Sequence, residues 1–277
     1  MKLKSCVVLS LLTACAPGTG TEKFTTWGED FIEQGIPATE FVDGWALHYD
    51  KFLVTFAGIT VADAKGTTAA TLTGSRLVDN TKAGRKDLVS FDGVDAQAWD
   101  RVSYEIRPAA ADALLIGATE DDRALMSDGG FSLYVAGSAT KGAVTKTFHW
   151  GFTTATRYHD CTQPTESGAP IEGVVVTVGG TDVSELTTHG DHLYYDRLKA
   201  SPDSSIQTSL RFDEKAAADA DQDGEITLTE LDAAPIDVTT YDPSGFDAPT
   251  LGAFMKALAR TVGHFRGEGE CTVSRIE

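Results

Sequence analysis

Residues 45–56 read WALHYDKFLVTF, and the phase of their apolar positions decides the fold. Trp45, Leu47 and Tyr49 alternate with smaller or polar residues; Phe52, Val54 and Phe56 then resume the alternation in the opposite phase. A period of two predicts a strand with one face on a core, and the slip predicts a β-bulge near Asp50 and Lys51. The same period recurs in Val102, Tyr104 and Ile106; in Phe131, Leu133 and Val135; in Phe148, Trp150 and Phe152; and in Val174, Val176 and Val178. Turn-forming clusters at 127–130 (SDGG), 136–142 (AGSATKG), 165–170 (TESGAP) and 178–182 (VGGTD) separate several of these runs. The expected fold is therefore mainly β, an antiparallel sandwich-like domain over residues 31–200. No succession of βαβ units suggests a parallel sheet, and residues 109–127 are ambiguous, with AAADALLIGA (109–118) suiting either a short helix or a strand.

The chain opens with MKLKSCVVLSLLTA, in which two lysines precede an apolar run from Val7 to Leu12. That run is too short to span a bilayer and has the layout of an export signal over residues 1–14. Leu12, Thr13, Ala14 and Cys15 resemble the lipobox of bacterial lipoproteins. The resemblance implies cleavage before Cys15, lipidation of that cysteine and anchoring of the protein to a membrane of the cell envelope. Ala16 points to the outer membrane. Residues 15–30, beginning CAPGTGTEK, are expected to form a polar tether.

Of four cysteines, Cys6 would leave with the signal and Cys15 would carry lipid. Cys161 and Cys271 remain, and an oxidising compartment predicts that they pair. The bridge would close a loop worth about 4 to 5 kcal/mol of chain entropy.

After Ser201 the composition changes. SIQTSLRFDEKAAADADQDGEITLTELDAAP (205–235) is helical in character on both sides of an aspartate cluster. Asp219, Asp221, Asp223, Gly224, Glu225, Thr227 and Glu230 stand at positions one, three, five, six, seven, nine and twelve of a twelve-residue loop. This spacing resembles the EF-hand calcium loop. The resemblance implies side-chain oxygens from the three aspartates, the Glu225 backbone carbonyl, Thr227 directly or through water, and both oxygens of Glu230. Gly224 would permit the sharp turn. Ile226 would pair with a second loop in an ordinary EF-hand couple, but the sequence has no second loop, so Ile226 is expected to pack on the β domain. An unpaired extracellular loop is expected to bind calcium at about 10⁻⁴ to 10⁻³ M.

Residues 249–265, PTLGAFMKALARTVGHF, place Leu251, Phe254, Met255, Leu258 and Val262 at helical spacing. Asp247 and Pro249 are start signals and Gly263 is a stop. The segment 201–277 is thus expected to be an α-helical EF-hand unit docked on the β domain and tied to it by the disulfide.

A second group of metal-ligating residue types lies in THGDHLYYD (188–196). His189, Asp191 and His192, with His149 or His159 from another strand, have the chemistry of a zinc or copper site. The alternative is that they hydrogen-bond in a sheet edge or loop. On a regular strand His192 would point away from His189, so a metal site needs a turn at Gly190. His48 and His264 read as structural.

The formal charge is −18, and loss of Lys2 and Lys4 from 23 basic residues leaves 21 against 41 acidic, or −20. Such a surface disfavours nucleic acid and favours cations. No GxSxG elbow, HExxH helix or phosphate-cradling glycine loop is present. Two functions follow as expectations: a membrane-anchored, non-catalytic binding or scaffold protein with a structural calcium ion, or a periplasmic zinc- or copper-binding protein or metalloenzyme centred on His189 and His192.

Overall fold

The computed structural model describes residues 18–165, 169–199 and 205–276. The expected export signal, Cys15 and the first residues of the expected tether lie outside them.

The first half of the chain contributes β1 (Thr19–Trp27), β2 (Ala46–Ala62), β3 (Thr68–Thr71), β4 (Ser75–Asp79), β5 (Lys86–Asp95), β6 (Ala98–Trp99), β7 (Arg101–Ile106) and β8 (Leu114–Ile116). Then come β9 (Leu133–Lys141), β10 (Val144–Phe152), β11 (Thr156–His159), β12 (Thr162–Gln163), β13 (Ile171–Glu172), β14 (Val174–Val175) and β15 (Thr181–Thr188). The last part supplies β16 (Glu225–Ile226), β17 (Gly263–Phe265) and β18 (Thr272–Arg275). Among the described residues five short α-helices are interspersed: α1 (Glu29–Glu33), α2 (Glu120–Asp128), α3 (Asp213–Ala217), α4 (Leu228–Ala233) and α5 (Leu251–Leu258).

The architecture is mainly β, as the alternation predicts. A large sheet runs β16-β10-β9-β2-β7-β11-β18, with β3 and β4 also on β2 and β8 on β4. A four-stranded sheet runs β17-β15-β1-β5. Between them lies an aromatic-rich core in which Phe148 stacks on Trp150 at 4.5 Å and Tyr104 on Tyr158 at 4.6 Å. The slip read in residues 45–56 is real: the β2–β9 register shifts between Tyr49 and Lys51, so both apolar triplets of that stretch are buried.

Three expectations need correction. Residues 19–27, read as tether, form a strand at the heart of the smaller sheet, parallel to β15 and antiparallel to β5. Their backbone donors and acceptors are satisfied on both edges, which a free tether would not achieve. Val178 is 72% exposed although Val174 and Val176 are buried, because β14 ends at Val175 and the chain turns at Gly179. Finally, the C-terminal segment is woven into the β structure as well as docked on it: β16 and β18 close the two ends of the large sheet, and β17 edges the small one. The ambiguous residues 109–127 hold both a short strand, Leu114–Ile116, and most of a helix that starts at a Thr119–Asp122 capping box.

Helix α5 carries the expected apolar stripe but ends at Leu258, before Val262 and Gly263. Thr250 caps its N-terminus through Ala253 N–H, and Leu251, Phe254, Met255 and Leu258 are buried. Cys161 and Cys271 form the expected disulfide, which fastens β18 and the chain leading from β17 to the middle of the fold. Among the described residues no helix is long and apolar enough to cross a membrane.

Candidate metal centre

Three histidines meet where β15, the turn that follows it and β17 converge. His189 leaves the end of β15, its N–H donating to Val262 O at 2.9 Å. The chain then turns at Gly190 into a 3₁₀ turn, Asp191–Tyr194, which carries His192. Gly190 is tightly enclosed: a Cβ there would stand 2.7 Å from Ile32 and 3.0 Å from Tyr49. The Tyr49 hydroxyl donates to Gly190 O at 2.7 Å and holds the turn in place. His264 arrives on β17, paired across the strand register with Thr187. The ring centroids lie 4.3 Å (His189–His264), 5.0 Å (His192–His264) and 5.1 Å (His189–His192) apart.

All three histidines are buried. The Nδ1 of His189 faces Glu29 at 3.3 Å, and the Nδ1 of His192 faces the Thr261 hydroxyl at 3.1 Å. A partner on one ring nitrogen fixes the ring and presents the other, the arrangement by which metal-ligating histidines are oriented. The nitrogens left over fit this pattern: His189 Nε2 and His264 Nδ1 are buried without a hydrogen-bond partner. Such orphaned atoms each cost about 1–3 kcal/mol unless something pairs with them.

Carboxylates surround the cluster. His189, Asp191 and His192 each offer a ligand atom within 4.8 Å of the others, as do His189, His264 and Glu268. Glu29 sits in the left-handed region at φ 55°, a costly conformation for a non-glycine residue, and its carboxylate lies against His189. Burial holds the His192 imidazole well below its usual range, reinforced by the neighbouring His189 and His264. Burial, with His189 beside it, likewise pushes His264 down to about 4. Glu29 and Asp191 are pushed upward by burial, against the pull of His189. Neutral imidazoles with free lone pairs beside poorly solvated carboxylates make a receptor for a cation. Access exists: His192, Tyr195, His264 and Glu268 line an open cavity of about 410 Å³.

The structure thus brings His189, Asp191 and His192 together, and the third histidine is His264 rather than His149. His149 projects from β10 toward Glu225 at 3.0 Å, and His159 bonds its neighbour Asp160 at 2.8 Å. His264, read as structural, is instead a member of the cluster, because β15–β17 pairing sets it beside His189. Its only sequence signal is the GHF that follows α5. Glu29 and Glu268 gave none.

The aspartate loop lies at the β16 edge of the large sheet, between α3 and α4. Gly224 has φ 91°, as the turn requires, and Gln222 has φ 61°. Backbone N–H groups of the loop point inward: Gly224 N to Asp219 Oδ2 (3.1 Å), Asp223 N to Asp221 Oδ1 (3.2 Å), Glu225 N to Asp223 Oδ1 (2.8 Å) and Ala220 N to Glu230 Oε1 (3.0 Å). Thr227 and Glu230 form a capping box at the start of α4. Asp219, Asp221 and Glu230 offer oxygens within 4.8 Å of one another. Asp219 is buried, and its Oδ1 has no partner. The loop is held against the edge of the sheet. Glu225 and Ile226 pair in parallel with Thr147 and Phe148 of β10, Thr147 N donates to Gly224 O at 2.9 Å, and Trp150 Nε1 donates to Ile226 O at 2.7 Å.

No protein-family model matches this chain, and no curated protein matches it either. Among solved structures, MbnP from Methylosinus trichosporium is similar over 65% of this chain and 78% of its own, at 13% sequence identity and a TM-score of 0.31.

Proposed function

We propose that this chain is an exported envelope protein that binds one transition-metal ion, copper or zinc, through His189, His192 and His264. One observation carries the reading. Two ring nitrogens, His189 Nε2 and His264 Nδ1, are buried without partners beside His192, whose Nδ1 is already engaged by Thr261. A bound metal satisfies both orphans, and imidazole suits copper and zinc alike, copper being held more tightly. Asp191 and Glu268 stand within reach as additional oxygen ligands or as charge compensation. The neighbouring cavity would leave a coordination position accessible to a small ligand.

The test is metal content. Mass spectrometry of the purified chain, loaded with copper or zinc and desalted, is expected to show one equivalent, absent from His189→Ala and His264→Ala. Equal metal in wild type and both variants refutes the site.

A calcium ion in the loop 219–230 belongs to the same reading as a second, structural ion, supported by the unpartnered buried Oδ1 of Asp219. Calcium is expected to raise the melting temperature, and Glu230→Gln to abolish the rise. The lipid anchor at Cys15 rests on the motif at residues 12–15. Intact-mass analysis of membrane-extracted protein checks it, since Cys15→Ser would release an unmodified chain.

A further inference from the structure

Beside the calcium loop stands a cation that the loop motif does not require. Lys146 of β10 sends its ammonium onto Asp219 Oδ2. The Asp219 side chain is fully enclosed, and that of Lys146 is only 19% exposed. The Oδ2 atom also takes the Gly224 N–H, so one oxygen of Asp219 is committed twice while Oδ1 stays free. The ammonium and an ion at the loop centre would therefore share one carboxylate. Lys146 reaches this point because β10 is the strand against which the loop is held: its neighbour Thr147 pairs with Glu225.

We infer that Lys146 is a built-in counter-cation of the loop, an affinity-determining residue that keeps the empty loop folded and weakens its hold on calcium. The inference rests on the calcium reading above. Asp219, Asp221, Asp223 and Glu230 bring four negative charges to one small loop. Unoccupied, they repel one another, and Lys146 cancels one of them. Occupied, the same ammonium faces a divalent ion a few ångströms away and opposes its binding. Calcium affinity of such loops follows ligand charge and rigidity. One unit charge at this distance from a divalent ion, partly screened by solvent, changes affinity about tenfold or more.

Calorimetric calcium titration of the exported chain, with melting curves in calcium and in chelator, tests this on wild type, Lys146→Met and Lys146→Arg. Methionine keeps the apolar stem and removes the charge. The expected result is calcium binding about tenfold tighter in Lys146→Met, with a lower melting temperature in chelator and recovery in calcium; Lys146→Arg should stay within about threefold of wild type. A purely structural role for Lys146 would lower the melting temperature without tightening calcium. Unchanged or weaker binding in Lys146→Met, where wild type binds, overturns the inference alone. Should Lys146→Met fail to give a native circular-dichroism spectrum, Lys146→Gln replaces it under the same criterion. If wild type takes no calcium, the calcium reading and this inference fall together.

Discussion

Glu22 should make the stability of this protein fall as pH rises, against the usual trend for carboxylates. It lies in the middle of β1, wholly buried, directly opposite Asp182 in the parallel register with β15. Ser184 donates to its Oε1 at 2.8 Å, and its Oε2 has no partner. Burial, aided by the facing Asp182 carboxylate and opposed by the Ser184 hydroxyl and Arg266, pushes Glu22 up from 4.5 to about 8. The folded chain therefore keeps a proton that the unfolded chain releases above pH 4.5. Its stabilising contribution is complete below pH 4.5 and is lost progressively as pH rises toward 8. Between pH 5 and pH 8 the loss is on the order of 4 kcal/mol, at about 1.4 kcal/mol per pH unit. Glu22→Gln substitutes a neutral amide and removes the dependence. Urea unfolding of both proteins at pH 5, 6, 7 and 8 in chelator measures it, because titrations common to both cancel in the difference. The two should differ by about 1 kcal/mol at pH 5, with the variant gaining several kcal/mol on wild type by pH 8. A difference that stays constant across that range refutes the reasoning.

Replacing both Cys161 and Cys271 by serine opens a cross-link spanning 110 positions of sequence; the expected loss of unfolding free energy, read by urea titration, is about 4 to 5 kcal/mol. Trp150→Phe keeps the stacking on Phe148 but removes the indole hydrogen bond to the Ile226 carbonyl, which the sheet pairing still serves; it should cost about 0.5–1.5 kcal/mol and weaken calcium binding measured by calorimetry, since that hydrogen bond helps hold the loop to the sheet.

What the sequence made legible is what is local. The phase slip at Asp50 and Lys51 and the twelve-residue aspartate loop are written in consecutive residues, so periodicity and spacing suffice to read them. β1 escaped notice for an equally physical reason. Its inward positions include Glu22, Thr25 and Thr26 as well as Phe24, so no apolar alternation marks it. Two of these polar residues find their partners on β15: Thr26 donates to Leu186 O and Glu22 accepts from Ser184, which with Asp182 is in turn held by Arg266, just beyond β17. The histidine cluster was half legible. The proximity of His189 and His192 is local and needed only the turn at Gly190, whereas His264 joins them through strand pairing that no short-range pattern encodes.

The placement of charge argues that the cluster is built for a cation rather than tolerated as a polar defect. Interior histidines that serve only structure use both ring nitrogens in hydrogen bonds, because an unpaired buried nitrogen is a net cost. Here Glu29 and Thr261 each engage one nitrogen and leave the opposite face of the ring open toward the cluster. Glu29 adopts an unfavourable backbone conformation at that point, and Asp191 is buried deeply enough to be pushed upward. The orphaned lone pairs of His189 and His264 and the desolvated Asp191 carboxylate would be relieved by a positive ion bound beside His189. β15, β17 and the Tyr49-anchored turn fix the ring positions independently. The disulfide lies just beyond β17 and the turn that carries Glu268, so the element bearing His264 is held at both ends, by α5 on one side and by Cys271 on the other. Rings held in this way are preorganised, so a metal entering beside them would meet nitrogens already in place.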